Sequence, residues 1–158
     1  MSERAFELTS HLQSEPDQVW AAVKRPALFL HVAAPLVHFK PIGMDRFPET
    51  WEEREYRGSM RLLGVLPLGW QAIVISFPQT QEGVWSLRDD GYSPMLPKWE
   101  HVIEIAAAPE GGTRYSDRIR FDAGVLTPVS ALSIRMFFRH RQRRLRALDK
   151  IGFSTLKD

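Results

Sequence analysis

The chain has 158 residues, of which 44% are hydrophobic and 25% charged, with a formal net charge of +2; this is the size and balance of one globular domain over residues 1–158 and excludes a disordered chain. It contains no cysteine, which excludes disulfides, thiolate metal sites and cysteine nucleophiles. No apolar run approaches the ~20 residues of a membrane span, and charges at Glu3 and Arg4 interrupt the N-terminus, so a soluble, unexported, cytoplasmic protein is expected.

The first predicted strand is Arg4–Gln13, where Phe6, Leu8, Ser10 and Leu12 alternate with Glu7, Thr9, His11 and Gln13. Two short helices follow. Ser14 is the expected N-cap of the first, with Pro16 in its opening turn and Val19, Trp20 and Val23 as its apolar stripe. The second runs from Pro26 to near Pro35. From Leu36 the period becomes that of strands, over Leu36–Ile42, Glu52–Leu63, Gly69–Phe77, Gly83–Asp89, Lys98–Ala107 and Thr113–Asp122. Gly and Pro turn signals separate them, which predicts an antiparallel meander. A long helix closes the chain from Pro128 to Ile151, with Gly152 as its stop. The expected class is α+β in the order β-α-α-β6-α: a seven-stranded curved antiparallel sheet with two short helices and one long C-terminal helix lying along it.

Several strings carry a resemblance. Trp99 and His101 form a W-x-H on the sixth strand; Gly112, Thr113 and Asp117 form a G-T-x-x-x-D on the seventh; Phe138, Arg139, His140 and Arg141 form an aromatic followed by R-H-R on the last helix. With the layout, these resemble the START-like superfamily, also called SRPBCC or Bet v 1-like, which includes polyketide cyclases and lipid-transport proteins, and within it an uncharacterised bacterial branch. The resemblance implies the helix-grip fold and a cavity between sheet and helix for a small hydrophobic ligand: lipid-like, polyketide-like or aromatic. It does not name the ligand, because such folds host binders, carriers and enzymes alike.

Period-two parity then assigns faces. Trp99, His101, Ile103 and Ile105 point inward on the sixth strand. On the seventh, Tyr115, Ile119 and Phe121 take Thr113 and Asp117 inward with them, while Arg114, Ser116, Arg118 and Arg120 face solvent. Tyr56, Met60, Ile73, Ile75 and Trp85 are inward on the intervening strands. In the long helix Phe137, Phe138, Leu145, Leu148 and Ile151 mark the buried face, with Arg141 in its middle. The expected ligand-binding set is Tyr56, Met60, Ile73, Ile75, Trp85, Trp99, His101, Tyr115, Asp117, Phe137, Phe138 and Arg141. Whether these side chains enclose a void or fill a core is not decided by pattern.

An inward carboxylate needs partners. In either of the two simplest hairpin registers, His101 lies opposite or diagonal to Asp117. Arg141 is expected to be buried and ion-paired, with Asp117 first and Asp89 second. His101, Asp117 and Arg141 admit three readings: a structural cluster, the polar end of a ligand pocket, or an acid–base pair. The leading function is binding or carriage of a small hydrophobic molecule. The alternatives are a cyclase- or dehydratase-type enzyme using His101 and Asp117 as catalytic acid and base, and an interaction module using the basic stripe of the last helix, Arg135, Arg139, Arg143, Arg146 and Lys150. That stripe reads first as a solvated face, so no nucleic-acid partner is assigned. With the apolar loop Leu62–Trp70 it suggests a weak contact with an anionic membrane. The five histidines have no metal-ligand spacing, so no metal and no cofactor are expected.

Overall fold

Residues 3–156 are described by the computed structural model. The elements run β1 (Arg4–Leu12), α1 (Pro16–Val23), α2 (Pro26–Ala33), β2 (Val37–Pro41), β3 (Glu55–Leu62), β4 (Leu66–Ser76), β5 (Val84–Asp89), β6 (Lys98–Ala107), β7 (Thr113–Asp122), a 3-10 turn (Gly124–Leu126) and α3 (Thr127–Lys150). Six strands, β2 to β7, form a meander, and β1 adds to its far edge, giving the antiparallel order β1-β7-β6-β5-β4-β3-β2. The curved sheet holds α3, which packs on β1 and on α2. No helix among the described residues is long and apolar enough to cross a membrane.

The strand alternation works as the sequence implies. Tyr115, Asp117, Ile119 and Phe121 are all buried, and Arg114, Arg118 and Arg120 are exposed. Ser116 departs from its expected solvent position and is buried. It lies between Thr9 of β1 and Glu104 of β6, and its hydroxyl meets the Thr9 hydroxyl at 3.1 Å, so its neighbours on the outer face shield it.

Three local expectations are corrected. Ser14 does not cap α1: Glu15 holds that position without a side-chain cap bond. Asp149, from the end of α3, accepts the Ser14 and Gln13 amides at 2.9 and 2.6 Å instead. The loop Leu62–Trp70 is mostly strand. The turn is confined to residues 63–65, because Leu63 and Gly64 both take positive φ and let β4 begin at Leu66. Ile151 is half exposed. The helix ends one residue earlier, Gly152 turns the chain at φ +61°, and Phe153 is buried in its place.

Between β4 and β5 only Ile75–Asp89 and Ser76–Arg88 are paired, followed by an isolated bridge from Ala72 to Tyr92. Asp89 mends the gap: its Oδ1 accepts the Val74 amide at 2.8 Å, the bond a backbone carbonyl would otherwise take. Gly91 makes the detour possible, since a Cβ there would lie 2.3 Å from the Ala72 carbonyl oxygen. Gly91→Ala should therefore cost about 1–3 kcal/mol, measured by denaturant unfolding; a variant as stable as the parent would show that this junction is not tight.

Candidate functional site

Between the sheet and α3 lies a cavity of about 590 Å³, within the range of small-molecule sites. Ten of the twelve residues expected to contact a ligand line it. Met60 comes from β3 and Ile73 and Ile75 from β4. Trp99 and His101 come from β6, and Tyr115 and Asp117 from β7. Phe137, Phe138 and Arg141 project from α3. Exposed apolar side chains border the opening: Leu126, Val129 and Met136 beside α3 and Met95 before β6.

Tyr56 and Trp85 do not reach the cavity. Both face inward, but other parts of the chain cover them. The segment between β2 and β3 packs Phe47 and Trp51 on Tyr56, with ring centroids 6.2 and 4.9 Å away, and the Tyr56 oxygen accepts the Glu52 amide. Trp85 is partly buried and packs against the core cluster. Strand parity reports a face, not the element that covers it. Several lining residues were not in the expected set: Val23, Leu28, Phe29 and Val32 from the two short helices, Leu87, Asp89, Ile103, Gln142 and Leu145. The parity of Leu87, Asp89 and Ile103 could have found them.

The polar end of the cavity centres on Asp117, 1% exposed. His101 sits diagonally across the hairpin, since Asp117 pairs with Ile103 and His101 with Ile119. His101 Nε2 donates to Asp117 Oδ1 at 2.7 Å. The Tyr115 hydroxyl donates to the same oxygen at 3.0 Å. Oδ2 accepts Gln142 Nε2 at 3.0 Å. Gln142 is itself fixed: Nε2 also donates to the Leu8 carbonyl, and Oε1 accepts the Ser10 hydroxyl at 2.6 Å. Ser10 in turn accepts from Arg146 at 2.9 Å. A chain of hydrogen bonds thus runs from the outer face of α3 through β1 to the buried carboxylate.

Charge states follow from these contacts. Burial pushes the Asp117 carboxyl up, but the hydrogen bond from His101, the charge of Arg141 and the Gln142 bond together hold it below its ordinary value. Burial lowers the His101 pKa, against the pull of Asp117 and with a push from Arg141. The ring is therefore neutral at pH 7 and carries its proton on Nε2, because an ionised carboxylate can only accept. Burial, followed by the Asp117 charge, raises the Tyr115 pKa, so its hydroxyl stays a donor. Asp89 behaves oppositely to Asp117. Burial raises its pKa from 3.8 to about 7, although the Val74 and Trp99 hydrogen bonds and Arg141 favour the ionised form.

Arg141 is buried as expected, at 8% exposed, but it is not ion-paired. No carboxylate of the described residues lies within 4.0 Å of it. The helix accounts for this. Gln142, about 100° further round, takes the free oxygen of Asp117, and Oδ1 is already shared by two donors. The guanidinium instead lies over the rings of Phe138 and Phe137, at 4.9 and 5.9 Å from their centroids. No cluster of three His, Asp or Glu able to hold a metal occurs among the described residues.

A model of the family described as "Domain of unknown function (DUF8410)" matches residues 10–148. The chain belongs to this family. No curated protein matches the chain. Among solved structures, protein CV1439 from Chromobacterium violaceum is similar, at 16% identity and a TM-score of 0.61, over 91% of this chain and 95% of that one. Protein Ms6760 from Mycobacterium smegmatis is similar at 15% identity and a TM-score of 0.63, over 91% and 89%. At such identities the likeness establishes the DUF8410 chain's fold and nothing about its chemistry.

The raised pKa of Asp89 has a stability consequence. The folded form holds this proton more tightly than the unfolded form, so the contribution is complete below about pH 3.8 and is lost as pH rises towards 7. Asp89→Asn keeps an acceptor for the Val74 amide and removes the titration. The melting temperature of the variant relative to the parent should rise between about pH 5 and pH 8; a difference independent of pH would mean that Asp89 ionises normally.

Proposed function

We propose that this protein binds and carries a small hydrophobic molecule in the cavity between α3 and the sheet. The observation that supports this most is the cavity itself: about 590 Å³ remain open although aromatic and aliphatic side chains surround it, where a filled core would close on itself at crystal-like density. The resemblance of the Trp99–His101 and Thr113–Asp117 strings to START-like proteins points the same way, as does the apolar border at Leu126, Val129 and Met136, which suits the passage of an apolar ligand.

A second reading is an enzyme of the cyclase or dehydratase type, and one feature favours it. With its Nε2 proton committed to Asp117, His101 has Nδ1 as a basic lone pair with no hydrogen bond to a described residue, in a ring that lines the cavity. Asp117, saturated by three donors, would orient His101 rather than exchange protons itself. A carrier needs only the cavity; an enzyme also needs the His101 lone pair.

Native mass spectrometry of the protein isolated from its own cells should show a retained small molecule. Ile73→Trp, which places an indole in the cavity, should abolish that retention while leaving the melting temperature within a few degrees of the parent. Equal retention by both proteins would place the ligand elsewhere and overturn the reading. Under the enzyme reading, His101→Gln would keep retention but lose turnover of the retained molecule.

A further inference from the structure

Arg141 presents an unfinished set of interactions. Its Nε is buried and has no hydrogen-bond partner. The residue is 92% buried by its 8% exposure, and it lines the cavity. A guanidinium removed from water normally recovers its hydrogen bonds from an acceptor, because five N–H donors without partners are costly to bury. The Tyr115 oxygen takes a hydrogen bond from Arg141, while the carboxylates that feel its charge are otherwise engaged. Both oxygens of Asp117 are held by His101, Tyr115 and Gln142. Asp89 Oδ1 is spent on the Val74 amide.

Resting on the cavity-binding reading above, we infer that the ligand is a monoanionic amphiphile, an apolar body ending in one carboxylate, and that the Arg141 guanidinium grips this carboxylate. The aromatic rings of Phe137 and Phe138 lie against the guanidinium and limit its freedom, which suits a planar acceptor. A carboxylate matches a guanidinium with two parallel bonds. A phosphate dianion fits less well, because Arg141 is the one Lys or Arg among the cavity-lining residues. The other titratable groups at this end tolerate an added negative charge: His101 is neutral, and Asp89, with its pKa near 7, can hold a proton as the carboxylate arrives. The remaining wall is apolar, from Ile73, Leu87, Ile103 and Leu145, and would receive the body of the ligand.

The test compares probes that differ only in the head group. Decanoate and decan-1-ol are titrated into the full chain by calorimetry at neutral pH. The parent should bind decanoate at least ~10-fold tighter than the alcohol, as charge-assisted bidentate bonds require. Arg141→Met should abolish that preference. In the parent itself, the Arg141 Nε–H resonance should shift on adding decanoate and not on adding the alcohol, a readout that needs no variant. Equal binding of both probes by the parent would overturn the carboxylate inference and leave the carrier reading standing. A preference for decanoate that survives Arg141→Met would overturn it also. Binding of neither probe would overturn the inference, while the carrier reading falls separately, on the retention measurement above.

Discussion

A carboxylate buried at 1% exposure is the constraint on which this structure depends. Asp117 could be hydrogen-bonded by a cation or by neutral donors, and the chain uses neutral donors at contact, an imidazole N–H, a phenol and a carboxamide, with the charge of Arg141 acting from further off. This choice fixes much else. The Gln142 bond ties the middle of α3 to β7, and through Leu8 and Ser10 to β1. The His101 bond sets its tautomer and leaves its other nitrogen as an acceptor. Because the hydrogen bonds of Asp117 are filled without Arg141, the guanidinium that lines the cavity remains available to something else. Removing a partner from such a network strands a buried charge in a low dielectric, at a cost of several kcal/mol.

Asp89 and Asp117 illustrate how position alone separates two identical side chains. Asp117 receives three donors and is held ionised. Asp89 lies where β5 peels away from β4 and serves as a substitute for a missing backbone carbonyl; burial outweighs its hydrogen bonds, and its pKa rises. One end of the cavity therefore holds a fixed negative charge, a fixed positive charge and a carboxyl that can follow the charge of its contents. Such an arrangement accommodates a polar ligand head without a large electrostatic cost, while the aliphatic wall provides most of the contact area.

Much of this was legible in the sequence, through period. Alternation in β6 and β7 put His101 and Asp117 on one inward face, and the two hairpin registers both brought them within reach; the helical period put Arg141 on the buried side of α3. What period could not resolve is the difference between adjacent residues. Gln142 stands about 100° from Arg141 on the same helix, and it takes the bond to Asp117 that charge alone would assign to the arginine. Nor could alternation say what lies over an inward residue. Tyr56 is sealed by Phe47 and Trp51, and Trp85 packs, partly buried, against the core cluster. Asp149 was legible only as the lone acid in a basic helix, yet it fixes the turn between β1 and α1 from 135 residues away in sequence. Contacts of that range arise from the closure of the fold, not from any local pattern.

The account stands on Asp117 being held by neutral donors, so the ionisation of His101 tests it most directly. Nitrogen-15 NMR of the imidazole reports both the charge and the proton position. A ring that is neutral at pH 7, protonated on Nε2 and bare on Nδ1, is the predicted result. A doubly protonated ring at pH 7 would contradict it: Asp117 would then be ion-paired to a cation, His101 would have no basic lone pair, and a second positive charge would stand beside Arg141 at the polar end of the cavity.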